Sequence, residues 1–332
     1  MDGAVEPIPS GKTEGPIASG RARMTLRRLG ILIAAALGAW LAIILGLHFG
    51  QIRHDRLDYS IEASFPSGKP FVPGEIYATT LAAIVDHELH SGFGWRPNDL
   101  FLWGPTVMAD NNADRQIGII MAVRETMRVF KDHLTKISSN EYDQNLVIAD
   151  TDFRNDPYKW ILPSAESKYD DGVQHLRMYV AGLQSSPPKS SPLNQRNIEL
   201  IRLFQAWTDL LGDGHAMLYR VEQPDGSPIY PWVDDDYFYH AQGYAHVMYY
   251  MLQAVIREYT PTERSRPVIL ALMNDALDPL QRAATLKPLV VLDGAPDGIF
   301  ANHRKNLDAY ISEARQKMYS IREELSGNLS EP

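Results

Sequence analysis

Hydrophobic and polar positions follow three different rhythms along this chain. Residues 1–28 mix Gly, Pro, Ser and Ala with scattered charge and show no apolar period, the pattern of a short disordered tail. Leu29 to Phe49 (LGILIAAALGAWLAIILGLHF) is an unbroken apolar run with no formal charge. Beyond a polar stretch from Gln51 to Pro73, which reads as a stalk, apolar residues recur at three-four spacing. That spacing marks amphipathic helices, each burying one face. The clearest case is C-terminal, where Leu307, Tyr310, Ile311, Ala314, Met318, Ile321 and Leu325 alternate with charged positions.

The spacing predicts helices over 75–91, 112–139, 165–184, 193–212, 236–259, 263–277 and 297–325. The first follows Pro73-Gly74 and stops at Gly92, a residue suited to a left-handed helix end. Residues 93–111 are irregular but aromatic, so the segment is expected to be packed down. Residues 140–164 are expected as a connector. Ser185–Pro192 (SSPPKSSP) is expected as an exposed linker that could divide two subdomains. Ala216–Val221 and Ser227–Val233 flank Pro224-Asp225-Gly226 and predict a β-hairpin. Gly212-Asp213-Gly214-His215 predicts a turn at a helix exit. The fold class is therefore mainly α: one N-terminal transmembrane helix, then a multi-helix soluble domain over 74–332 with a small β-hairpin.

Leu29–Phe49 is long enough, at about 1.5 Å per residue, to cross the roughly 30 Å hydrocarbon core of a bilayer. A cleaved signal peptide is the rival, but its apolar region is shorter, about 7–15 residues, and ends in a small-x-small site. Here the run exits through Leu47-His48-Phe49-Gly50-Gln51, a poor site. Arg21, Arg23, Arg27 and Arg28 precede the run, whereas Arg53 and Arg56 beyond it are offset by Asp55 and Asp58. The basic excess places the N-terminus in the cytoplasm and the main domain outside it. Gly30, Ala34, Gly38, Ala42, Gly46 and Gly50 recur at every fourth position, a ridge that would let this helix pair with a second copy or with another membrane protein.

Composition adds three exclusions. The apolar share of 45% and charged share of 22% belong to a globular chain, so disorder is not the default. There is no cysteine, which removes disulfides, thiolate catalysis and thiolate metal ligation. The net charge is −9, of which residues 1–50 contribute +2 and the remainder −11, a field unsuited to nucleic acid.

Candidate chemistry is sparse. Asp86-His87-Glu88-Leu89-His90 puts Asp86, His87 and His90 on one arc at the end of a helix, so two or three could share a metal, with zinc the ion suited to imidazole and carboxylate. No cofactor is otherwise expected. The competing reading is two histidines bonding the free carbonyls of a helix C-terminus. In Asp234-Asp235-Asp236-Tyr237-Phe238-Tyr239-His240, the acids read as first-turn charges, and Asp236 and His240 are spaced to pair, which would raise the imidazole pKa. Trp95, Trp103, Trp160 and Trp232 could stack on sugars, although tryptophan packing is the commoner use. No serine sits in Gly-x-Ser-x-Gly.

The stretches PGEIYATTLAAIVDHEL, GWRPNDLFLW and NNADRQIGII resemble a family of bacterial single-pass inner-membrane proteins catalogued only as a domain of unknown function. The resemblance implies a Gram-negative source and an inner-membrane address, with the main domain in the periplasm. It implies no activity, substrate or catalytic residue. The expected function is a membrane-tethered periplasmic scaffold or binding protein. A tethered, metal-dependent hydrolase and a glycan-binding module are the alternatives.

Overall fold

A computed structural model describes residue 3, residues 17–54, 56–99, 110–136, 142–194, 196–222, 226–227, 229, 231–259, 266–288, 290–295 and 298–327. Residues 1–46 and 47–332 form two compact units.

The first helix, α1, runs Ile17–His54. Thr25–Leu47 within it has mean hydropathy 2.4 and is 6% buried, the one candidate membrane span among the described residues. By length and composition it suits an anchor or a signal sequence. Gly30, Ala34, Gly38 and Ala42 are all exposed, and Gly30, Gly38 and Gly46 face open space. Gly50, the last of the ridge, instead lies against the Phe93 ring.

The second unit is all-helical. After the short α2 (Ile61–Ser64) come α3 (Glu75–His90), α4 (Asn111–Val129), α5 (Gln144–Phe153) and α6 (Ala165–Gln184). Then follow α7 (Asn197–Leu218), α8 (Pro231–Glu258), α9 (Arg266–Thr285) and α10 (His303–Gly327). The expected helices are all present, with α5 found in what reads as a connector. No strand occurs among the described residues; Asp293 and Asn302 form an isolated bridge, and Glu222 also stands in a bridge.

The expected hairpin is therefore corrected. Ala216–Leu218 belong to α7 and Val233 to α8, while Pro224 and Asp225 lie outside the described residues. The Gly212–His215 turn is corrected with it. The apolar positions of α7, including Leu203, Phe204, Trp207, Leu211 and Leu218, stay in phase across both glycines and are buried. Gly212 takes the Arg315 guanidinium against its Cα, and Gly214 faces Tyr244 and Ile311. Burial of the stripe outweighs glycine's intrinsic helix penalty of about 1 kcal/mol each. The helix ends where Arg304 donates to the carbonyls of Met217 and Arg220.

Ser185–Pro192 is no boundary, since residues 47–332 form one unit. Lys189 N–H donates to Gly182 O, the Tyr179 hydroxyl to Ser191 O, and Leu193 N–H to Pro73 O. The 51–73 stretch is likewise seated on the bundle: Leu57 and Phe65 are buried, and Arg257 donates to the carbonyls of Phe65 and Pro66. The helix expected over 112–139 widens at Phe130–Leu134 into a π-turn. Phe130 there is fully buried between the rings of Tyr77 and Tyr179 at 4.6 and 5.5 Å, and the Thr135 hydroxyl closes the turn on Phe130 O.

The pair α4 and α8 organises the core. A Cβ on Gly118 would strike the carbonyl of His240, and one on Gly243 the carbonyl of Arg115. Glycine is required at both because the two backbones touch there. Asp114 meets Asp236, Gly118 meets His240 and Ile119 meets Gly243, so the contacts advance together and the helices run parallel. Both N-termini consequently sit at one end.

Candidate functional site

Arg115 and Gln116 of α4 join α3 and α8 in a buried polar ladder. Glu88, on α3, receives Arg115 Nη1 at 3.1 Å and Gln116 Nε2 at 3.1 Å. The side chains of Arg115 and Glu88 are only 2% and 3% exposed. Gln116 completes its bonds with Gly94 O and with the backbone N–H of Arg96. The other branch of the guanidinium donates to His246 Nδ1 at 3.1 Å. Burial pushes the His246 imidazole well below its ordinary pKa, and Arg115, His87 and Lys287 push it further. A neutral ring that accepts at Nδ1 carries its proton on Nε2.

His246 also forms part of the floor of a groove of about 850 Å³. One wall is the segment 56–62, another is the face of α8 carrying Tyr249, Tyr250 and Gln253, and a third is the end of α9 at Gln281, Ala284 and Thr285. Arg56 and Lys287 bring positive charge to it, Asp58 and Glu62 negative charge, and the tyrosines apolar surface. A concavity of this size with a few fixed polar groups is what ligand sites are built from. The buried ion pair beneath it orients His246 and holds three helices in register.

A second polar cluster sits where α4 and α8 begin. Ligand oxygens of Asp110, Asp114 and Asp236 all lie within 4.8 Å of one another. Burial and mutual repulsion raise Asp110 to about 7 and Asp114 to about 8. Burial also raises Asp235 and Asp236 to about 6 each. Asp114 and Asp236 hydrogen-bond to each other, so one proton is shared between them. The two parallel helix N-termini offer a partial positive charge that favours carboxylates here. Such a set can hold a shared proton or present hard oxygen ligands. Sequence reading placed Asp235 and Asp236 as first-turn charges but could not join them to Asp110 and Asp114, which lie more than a hundred residues earlier.

The Asp236–His240 pairing is corrected. His240 Nε2 is 3.1 Å from the Tyr244 hydroxyl, and burial lowers the ring to about 4 instead of raising it. Asp236 is engaged by Asp114.

The Asp86, His87, His90 trio divides. Asp86 and His90 are 3.3 Å apart at the surface, with Asp170 as the third group within reach and Arg177 bonded to Asp86 at 3.0 Å. His90 Nδ1 also reaches Asp86 O, one of the last carbonyls of α3. His87 turns inward, is 8% exposed and bonds Ser91 Oγ. On an ideal helix the three share one arc, but the edge of the core face of α3 runs between the two histidines. Of the tryptophans, Trp95 is buried edge-on against Tyr169, and Trp160 is 60% exposed. Trp103 lies outside the described residues, and of Trp232 only the backbone is described.

No curated protein and no solved structure matches the chain. One family model, described as an uncharacterized protein conserved in bacteria (DUF2333), matches residues 22–213 and 192–327. Those two matches run from within α1 to the end of α10, and the chain belongs to this bacterial family.

Proposed function

We propose that this is a membrane-tethered binding protein of the bacterial envelope. In this reading it is anchored in the inner membrane by residues 29–50, with its N-terminus cytoplasmic and its helical domain in the periplasm. The observation that carries the reading is the groove. It opens at Arg56, nine residues past the end of the candidate span at Leu47. Its lining mixes both charges with phenol and amide groups, which suits a polar or peptide-like ligand more than an apolar one. The arginines before the span and their near absence of net excess after it support the orientation. The small-residue ridge supports pairing through the span, with a second copy or another membrane protein.

A photo-crosslinking residue at Thr285, inside the groove, is expected to give a light-dependent adduct in cells. The same residue at exposed Asn274, outside the groove on α9, serves as control. Equal yields at the two positions would remove the groove from the account.

The competing reading is a tethered hydrolase that uses a divalent cation. It draws on the Asp110, Asp114 and Asp236 oxygens. Metal analysis of the purified full chain discriminates: a stoichiometric divalent ion that is lost in Asp114→Asn favours the hydrolase, and its absence favours a binding protein.

A further inference from the structure

We infer that the loop Pro157–Pro163 is a second membrane contact, an apolar finger that rests in the bilayer interface. The inference rests on the anchored reading above.

The loop reads PYKWILP, and its apolar side chains point outward: Tyr158 is 59% exposed, Trp160 60%, Ile161 56% and Leu162 92%. Exposed apolar side chains are ordinary when scattered singly; four within five residues are not. The base of the loop, by contrast, is fixed. Tyr158 N–H donates to Asp156 Oδ1, and Trp95 Nε1 donates to Pro157 O at 2.9 Å. The Lys159 carbonyl receives both Asn98 Nδ2 and the Ala165 N–H. A held base with an exposed tip is a preformed shape whose apolar residues have already lost most of the freedom that burial would cost them.

The composition chooses the occupant. Tyr, Lys and Trp beside Ile and Leu match the residues that settle at the headgroup level, with aromatic rings at the boundary and a lysine able to reach outward. Position within the second unit agrees. The ring of Phe93, 47% exposed, lies against Gly50, and Trp95, two residues on, is bonded to Pro157. The finger therefore belongs to the same side of this unit as the helix segment that leads out of the span. Phe49, 49% exposed, extends the apolar surface there. Of the acids near the finger, Asp156 and Glu166 are engaged by the Tyr158 N–H and by Asn98, while Asp114 and Asp236 of the acidic cluster also act on the Tyr158 phenol, whose pKa burial and these acids raise. The domain's overall negative charge makes a neutral zwitterionic interface a better match than an anionic one.

The absence of cysteine allows a direct test, because a single introduced thiol is the only one in the chain. The full chain is reconstituted in phosphatidylcholine nanodiscs as Ile33→Cys, Leu162→Cys or Ser67→Cys, each carrying a nitroxide. Collision with oxygen is then compared with collision with a water-soluble nickel chelate. Ile33 lies in the span, and Ser67 is exposed beside the C-terminal end of α8. Leu162 is expected to shift toward the oxygen-rich ratio of Ile33 and away from that of Ser67. A Leu162 ratio equal to that of Ser67 overturns the inference while leaving the anchor intact. Shielding of Leu162 from both reagents, as under a protein partner, overturns it as well. A nickel-accessible Ile33 would instead remove the anchor itself.

Discussion

The helices α4 and α8 carry two polar clusters, and the two are built on opposite terms. In the first, Glu88 and Arg115 are almost fully buried and matched one charge to one, with Gln116 and His246 taking the remaining bonds. At the N-terminal end, Asp110, Asp114, Asp235 and Asp236 are less buried and share one sign. The first cluster pairs opposite groups at 3.1 Å. The second relieves its like charges by taking up protons, with partial help from two helix dipoles. Burial raises all four of these carboxyls, and the like charges of their neighbours raise them further.

The largest effect is expected from breaking the matched cluster on one side. Arg115→Met leaves Glu88 buried without its partner and should lower unfolding free energy by about 3–5 kcal/mol, read by chemical denaturation. Adding Glu88→Gln should restore much of that loss. If the double variant is no better than the single one, the pair is not what holds this region.

Glu258 tests the same idea with backbone in place of a cation. It is a buried acid raised to about 7 by burial, and it accepts the N–H groups of Gly74 and Tyr77 at the start of α3. Glu258→Ala should cost about 2 kcal/mol by leaving those donors without an acceptor.

The unmatched cluster should respond in the opposite direction. A carboxyl whose folded pKa lies above its unfolded value favours folding most below the unfolded value, and that contribution is lost as pH rises through the folded value. For Asp114 the window runs from about 4 to about 8. Asp114→Asn should therefore stabilise the protein by about 1–2 kcal/mol at pH 8.5 and have little effect at pH 4. Thermal melts of both proteins across that range measure it. A uniform loss at every pH would mean that the ionised carboxylates are favourable caps.

The smallest effect belongs to the surface pair. His90→Ala should change stability by no more than about 0.5 kcal/mol, because both groups are solvated and Asp86 keeps Arg177. Bound zinc lost on that substitution would revive the metal reading of Asp86, His90 and Asp170.

These contrasts also explain what the sequence could convey. The helices were legible because each buries one face of a regular stripe, and α6 matches the expected 165–184 at both ends. The turn at Gly212–His215 was misread because Gly212 and Gly214 look like breaks, when the neighbours that fill their space, Arg315 and Tyr244, come from other helices. The Asp86, His87 and His90 grouping assumed an ideal helix without knowing its core face. The ladder and the acidic end were illegible for one reason. Glu88, Arg115 and His246 are separated by 27 and 131 residues and meet only through the glycine contact of α4 and α8. Gly118 and Gly243 were the available signal, since glycine inside a long helix asks for a close neighbour.

The central claim is an anchored domain that faces out of the cytoplasm, and single-thiol accessibility tests it most directly. Gln316 is exposed on α10, and Ser10 lies in the N-terminal tail. In intact spheroplasts, a membrane-impermeant maleimide should label Gln316→Cys at once and Ser10→Cys only after lysis, with the labelled protein sedimenting with membranes. Labelling of Gln316→Cys only after lysis, or its recovery as a shortened soluble chain, would contradict the claim.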